Sequence, residues 1–157
     1  QGTTIEVEYL LTALNVGDTD YTSETINRMF KTATDNHTTE KLELVRLSNE
    51  VKENILGVKR GSLIKYGAVS QEVASEMSKG AMKQLNADYA IATTGIAGPS
   101  GGSEEKPTGT VWISVCSATK IITEKYYFPT TRDNFIERTS NQALLMLMRL
   151  IKEENDK

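Results

Sequence analysis

Tyr89-Ala90-Ile91-Ala92-Thr93-Thr94-Gly95-Ile96-Ala97-Gly98-Pro99-Ser100-Gly101-Gly102-Ser103 decides the fold. Tyr89 to Ala92 is a short apolar run of strand character, and a glycine-rich loop follows it directly. A second strand-like run, Gly109 to Val115, lies beyond the loop and pins its far end. Loops of this length held between strands are commonly functional. In open α/β sheets, ligands bind at the carboxyl ends of strands, which is where this loop is expected to sit. Glycines let the backbone come close to a ligand, and successive N–H groups can point at an anion. Thr93, Thr94, Ser100 and Ser103 add hydroxyl donors, and Lys106 adds a positive charge. The string matches neither G-x-x-x-x-G-K-[ST] nor G-x-G-x-x-G with its acidic partner. The alternative reading is a flexible surface loop with no ligand.

The elements around the loop alternate. Thr4 to Leu14 carries Ile5, Val7, Leu10, Leu11 and Leu14 at a mostly helical spacing. Asn15 to Tyr21 reads as a turn, and a helix is expected from Ser23, capped by Thr22 or Ser23. Thr34 to Thr39 is polar and loop-like, and Leu42 to Leu47 alternates as a short strand does. Ser48 caps a helix with Val51, Ile55 and Leu56 inward, stopped by Gly57, and Leu63 to Tyr66 reads as a connecting turn. The spacing predicts a helix over 70–86, with Ser70 as N-cap, Glu72 in the first turn, and Val73, Met77, Ala81 and Leu85 as its buried stripe. Val111–Val115 and Ile121–Phe128 form a hairpin around Ser117–Lys120. A last helix runs from about Arg132 to Glu154, with Phe135, Ile136, Leu144, Met148 and Ile151 toward the core. The pattern predicts one α/β domain over residues 1–157, a three-layer α/β/α sandwich with a mixed sheet.

Composition narrows the function. The 157 residues are 38% hydrophobic and 25% charged, which fits one folded domain able to bury a core without staples. No run approaches the length of a membrane span, and the polar start, Gln1 to Glu8, lacks the order of a signal peptide. Neither a membrane nor a nucleic-acid partner is expected, since the net charge is −3. A small anionic ligand would therefore depend on local donors. Cys116 is the single cysteine and reads as a buried, inert thiol. With one histidine, His37, in a polar stretch, neither a histidine metal site nor a Ser-His-Asp triad is expected.

Several runs in order resemble the CinA C-terminal domain family: Ser48-Asn49-Glu50-Val51-Lys52, Tyr66-Gly67-Ala68-Val69-Ser70, Thr94-Gly95-Ile96-Ala97-Gly98-Pro99, and Lys106-Pro107-Thr108-Gly109-Thr110-Val111-Trp112. The resemblance covers 48–151, whereas 1–47 diverge. It implies a cytoplasmic, oligomeric nicotinamide mononucleotide amidohydrolase of the pyridine nucleotide cycle. Such an enzyme forms nicotinic acid mononucleotide and ammonia with no metal or cofactor, on an α/β/α sandwich. It also implies that Lys52, kept neutral, takes a proton from a nucleophilic hydroxyl. The Thr94 hydroxyl and the backbone at Gly95 would then hold substrate or oxyanion. Asn49, Gly95, Ile96, Ala97, Gly98, Ser100, Gly101 and Gly102 are the candidate substrate-binding residues.

The family's E-S-C-T-G-G motif is missing. A gapless count back from Ser48 places it on Thr19-Asp20-Tyr21-Thr22-Ser23-Glu24, with Asp20 at the serine position. The tyrosine before S-N-E is Leu47, and the arginine of the last helix falls on Ile136, with Arg132 and Arg138 nearby. Asp20 beside Lys52 would pair with it and keep it protonated. Ser23 could replace the lost serine, or simply cap a helix. Three functions remain open: an amidohydrolase, a ligand-binding module without turnover, and an assembly role. The last would use Leu145, Met146 and Leu150 of the final helix as a dimer face. A valine at Gly95 is expected to occupy ligand space while leaving the fold nearly intact.

Overall fold

The structure is a computed structural model that describes residues 7–9 and 49–156. Expectations for 10–48, including Asp20 and Ser23, lie outside the described residues. Strand β1 (Val7–Tyr9) is followed by helices α1 (Asn49–Asn54), α2 (Arg60–Tyr66) and α3 (Gln71–Leu85). Strands β2 (Tyr89–Gly95), β3 (Thr110–Ser117) and β4 (Ile121–Tyr127) come next, and helix α4 (Arg132–Asn155) ends the chain.

The sheet has the order β1-β2-β3-β4 and is mixed. β1 runs parallel to β2, with Val7 opposite Tyr89 and Tyr9 opposite Ile91. β2, β3 and β4 are antiparallel neighbours, with Thr94 opposite Trp112 and Gly95 opposite Val111. Val7–Tyr9 corrects the helix expected over Thr4 to Leu14. A short apolar run does not separate helix from strand by spacing alone, and the backbone of β2 supplies a ladder that a helix could not use.

Side-chain alternation divides the core between the two faces of the sheet. Ala90 and Ala92 of β2 and Cys116 of β3 pack with Val73, Met77 and Ala81 of α3. Ile91 of β2 and Val111, Ile113 and Val115 of β3 pack with Phe135, Ala143, Met146, Leu147 and Leu150 of α4. Helices therefore cover both faces. The Ser70 side chain caps α3 by accepting from the Val73 N–H at 3.3 Å, as its position predicts. Asn86 closes the helix in the left-handed region. The hairpin turn closes through the Ser117 N–H donating to the Lys120 carbonyl.

Two elements differ from the sequence reading. Leu63 to Tyr66 belong to a short helix rather than a turn. No residue of α2 is buried, and Ile64 is 77% exposed. It is held by Glu76 of α3, whose carboxylate accepts from the Lys59 N–H (2.8 Å) and the Ser62 hydroxyl (2.7 Å). On α4 the buried stripe is Phe135, Thr139, Ala143, Met146, Leu147 and Leu150. Leu144 and Met148, expected inside, are exposed, and Ile136 and Ile151 are half-buried. Met146 and Leu150 are thus core residues and not part of a free face. Ile55 is likewise exposed, while Leu56 is buried as expected.

Leu56 and Val58 seal the α3 side of the core. A β-carbon at Gly80 of α3 would lie 1.8 Å from the Leu56 carbonyl oxygen, so only glycine admits this approach. Gly→Ala in an open helix gains about 1 kcal/mol. Gly80→Ala is nevertheless expected to lower stability by about 1–3 kcal/mol, because forced overpacking outweighs propensity. Urea denaturation measures this, and an unchanged or higher midpoint would show that the Leu56 turn does not rest on α3.

Candidate functional site

β2 ends at Gly95 and hands the chain to a loop tied at several points. The Ile96 N–H donates to the Thr110 carbonyl (2.8 Å), and the Ile96 carbonyl accepts from the Gly109 N–H (2.7 Å). An Arg132 guanidinium N–H donates to the Gly98 carbonyl (3.0 Å), and the Thr108 hydroxyl donates to the Gly101 carbonyl (3.0 Å). Ser103 and Lys106 close a turn by exchanging two hydrogen bonds. Lys106 Nζ donates to the Tyr66 carbonyl at the end of α2. The Gly98–Pro99 peptide is cis. Gly98, Gly101 and Gly102 have φ of +76°, +89° and +90°, which glycine adopts without strain.

These ties decide which donors are free. The Ile96 amide is used by Thr110. Ala97 and Gly98 are buried, and neither N–H enters a hydrogen bond among the described residues. Buried amides are ordinarily satisfied, so these two are available donors for an anion or an oxyanion. Ser100, Gly101 and Gly102 are exposed, and their N–H groups are likewise uncommitted among the described residues. Thr94 is buried, but its hydroxyl donates to the Ala68 carbonyl at 2.8 Å and so ties the strand end to the segment before α3.

Gly95 plays a different part from the one expected. A β-carbon there would lie 2.8 Å from the Thr110 carbonyl oxygen and 2.9 Å from the Val111 side chain. Its missing side chain faces β3, not ligand space. Gly95→Val is therefore expected to damage the fold itself, lowering the melting temperature by several degrees or more, with ligand loss as a consequence. An unchanged melt with selective loss of binding would restore the first reading.

Lys52, in the last turn of α1, is 3% exposed. Its carbonyl accepts from the Val58 N–H (2.9 Å), its amine has no ion-pair or hydrogen-bond partner among the described residues, and burial holds that amine below the ordinary lysine range. Asn49, at the start of the same helix, is exposed. Among the described residues no cluster of three or more His, Cys, Asp or Glu side chains could hold a metal, and no helix is long and apolar enough to cross a membrane.

The sequence reading missed the contact between Arg132 and Gly98, although it placed that arginine at the right helix end. It also missed Thr110, which is 1% exposed with a hydroxyl that has no partner among the described residues. Thr110 lies at the root of the loop, where its carbonyl holds Ile96.

The profile of the CinA C-terminal domain matches residues 25–151. The chain belongs to the CinA C-terminal domain family. A CinA-like protein of Fervidobacterium nodosum is 46% identical over 109 residues, 69% of this chain and 27% of that protein. A CinA-like protein of Thermosipho melanesiensis is 42% identical over 110 residues, 69% of this chain and again 27% of the relative. The matched segment thus spans about a quarter of these curated relatives. Among solved structures, the competence/damage inducible protein CihA from Agrobacterium tumefaciens superposes with a TM-score of 0.72 at 28% identity, covering 93% of this chain and 85% of that one. The α/β architecture is that of the CinA superfamily, and the glycine loop and Lys52 fall inside the family match.

Thr110→Val removes the hydroxyl that has no partner among the described residues while keeping the side chain's shape. It is expected to raise stability by about 1 kcal/mol, since a buried hydroxyl without a partner costs more than the methyl that replaces it. Thermal melts test this, and a destabilised variant would show that the hydroxyl is satisfied.

Proposed function

We propose that this domain hydrolyses the carboxamide of nicotinamide mononucleotide, releasing ammonia and leaving nicotinic acid mononucleotide. The observation that carries the reading is the buried amine of Lys52. A charged amine removed from water costs several kcal/mol unless it is paired. An apolar residue of similar length would fill the same space without that cost. A lowered amine is what a general base needs, because it can be neutral near working pH and accept a proton.

In this reading a hydroxyl, with Ser23 as the candidate, attacks the carboxamide carbon and gives its proton to Lys52. The oxyanion takes hydrogen bonds from uncommitted N–H groups of the glycine loop. Collapse breaks the C–N bond, and Lys52 returns the proton to the departing ammonia. Water then repeats the sequence on the acyl-enzyme, frees the carboxylate and regenerates the hydroxyl. The nucleotide phosphate meets the buried amides of Ala97 and Gly98, and the exposed amides of Ser100, Gly101 and Gly102 are left for the rest of the substrate. The domain acts in the cytoplasm as a homo-oligomer.

One observation favours the second reading, a binding module without turnover. The Thr94 hydroxyl is committed to Ala68, so it does not stand open toward substrate, and the serine motif is absent from the sequence. Ammonia release from nicotinamide mononucleotide, with calorimetry beside it, separates the two. Binding without release would mean the module, and neither would leave an assembly role.

Lys52→Met is expected to lower turnover about 10²–10⁴-fold, the usual range for a general base. The wild-type rate should climb with pH and level off below the ordinary lysine range. Stability gives an independent check. An unfolded lysine keeps its proton to about pH 10.4. Between the lowered folded value and that pH, the unfolded chain holds one proton more than the native one, so stability rises with pH there. Lys52→Met should be the more stable protein at low pH, with its advantage shrinking as pH nears 10. A pH-independent difference would show that the amine is not depressed.

A further inference from the structure

The ends of the loop are fixed by the sheet, but its middle is fixed by a helix. Arg132 is the first residue of α4, and its guanidinium donates to the Gly98 carbonyl at 3.0 Å. Gly98 is buried, and its own N–H and that of Ala97 enter no hydrogen bond among the described residues. Ala97 packs in the α4 core with Phe135, three residues along from Arg132. One side chain thus holds the carbonyl of the dipeptide whose two amides are uncommitted.

We propose that Arg132 is the positioning residue of the glycine loop, aiming the Ala97 and Gly98 amides at the anionic group of the ligand. The proposal rests on the ligand reading above but not on turnover. A peptide group is planar, so holding a carbonyl fixes the plane it belongs to and limits the turn of its neighbours. Beyond Gly98 the plane contains Pro99, which has no N–H to offer. The donors of this stretch are therefore those before the anchored carbonyl. A guanidinium suits the task because it stays charged, and its planar fork holds an acceptor in a defined direction. Lysine would bring the charge without the direction. Its positive charge beside the loop also adds local attraction for an anion in a chain of net charge −3.

The test compares the full chain with Arg132→Gln and Arg132→Lys, all three checked for folding by thermal melts. For nicotinamide mononucleotide, Arg132→Gln should raise KM about tenfold or more, the worth of one charge-assisted hydrogen bond, and change kcat far less. Arg132→Lys should fall between. Amide NMR gives a readout that needs no turnover. Titration with inorganic phosphate should shift the Ala97 and Gly98 resonances in the wild type, and these shifts should be lost in Arg132→Gln. If Arg132→Gln fails to fold, Arg132→Lys decides by the same shifts. Unchanged KM, or Ala97 and Gly98 shifts that persist in the folded variants, would overturn the proposal. Phosphate shifts that depend on Arg132 in a protein that releases no ammonia would support it while ending the hydrolase reading.

Discussion

Where β2 meets β3, Gly95 stands opposite Val111 with no room for a β-carbon, which would lie 2.8 Å from the Thr110 carbonyl oxygen. This close approach brings the two strands together at the point where the loop begins. It lets Thr110 accept from the Ile96 amide and places Gly109 to donate to the Ile96 carbonyl. The loop therefore leaves the sheet from a closed neck. A larger residue at 95 would part the strands, and the contacts of Ile96, Gly98 and Thr108 downstream would lose their register. The glycine serves the backbone at this neck.

The electrostatics follow from what that neck leaves uncommitted. The chain is acidic overall, so its field does not gather anions. In the proposed reading, attraction for an anion comes from groups at the loop itself. These are the amides of Ala97 and Gly98 with the Arg132 guanidinium on the α4 side, and Lys106, held to the end of α2 through the Tyr66 carbonyl. Lys52 belongs to a different category. Among the described residues its amine has no partner, and burial works against its charge. A side chain kept at that cost suits the proton transfer proposed above better than it suits holding an anion.

Legibility in the sequence depended on whether local and tertiary preferences agreed. Helix α3 was readable because Ser70 caps it and Val73, Met77 and Ala81 repeat at helical spacing on the face that is buried. The β3–β4 hairpin was readable from two apolar runs about a polar turn. In α4 the helix was readable but not its face. The buried stripe includes Thr139 and Ala143, a polar and a small residue, while Leu144, Leu145 and Met148 beside it are large and exposed. Hydrophobic size outweighed spacing and turned the stripe. Helix α2 escaped because no residue of it is buried, and its anchor is the Glu76 carboxylate seventeen residues beyond Lys59. At the site, the loop and Lys52 were visible from composition and resemblance. The Arg132–Gly98 bond was not, because a long-range contact to a backbone carbonyl leaves no pattern in either segment.

The parallel pairing of β1 with β2 bears on where the glycine loop stands. Parallel strands present their carboxyl ends at the same edge of a sheet, so β1 ends on the edge from which the glycine loop departs. The topology alone brings the two together. The loop geometry is enforced by packing: Gly95 against β3, Gly98 against Thr108, and Gly102 against the Thr108 amide. Changing any of these costs stability, so the shape of the loop is maintained by the same forces that maintain the fold. A side chain added at Gly95, Gly98 or Gly102 would therefore disturb the fold together with the loop.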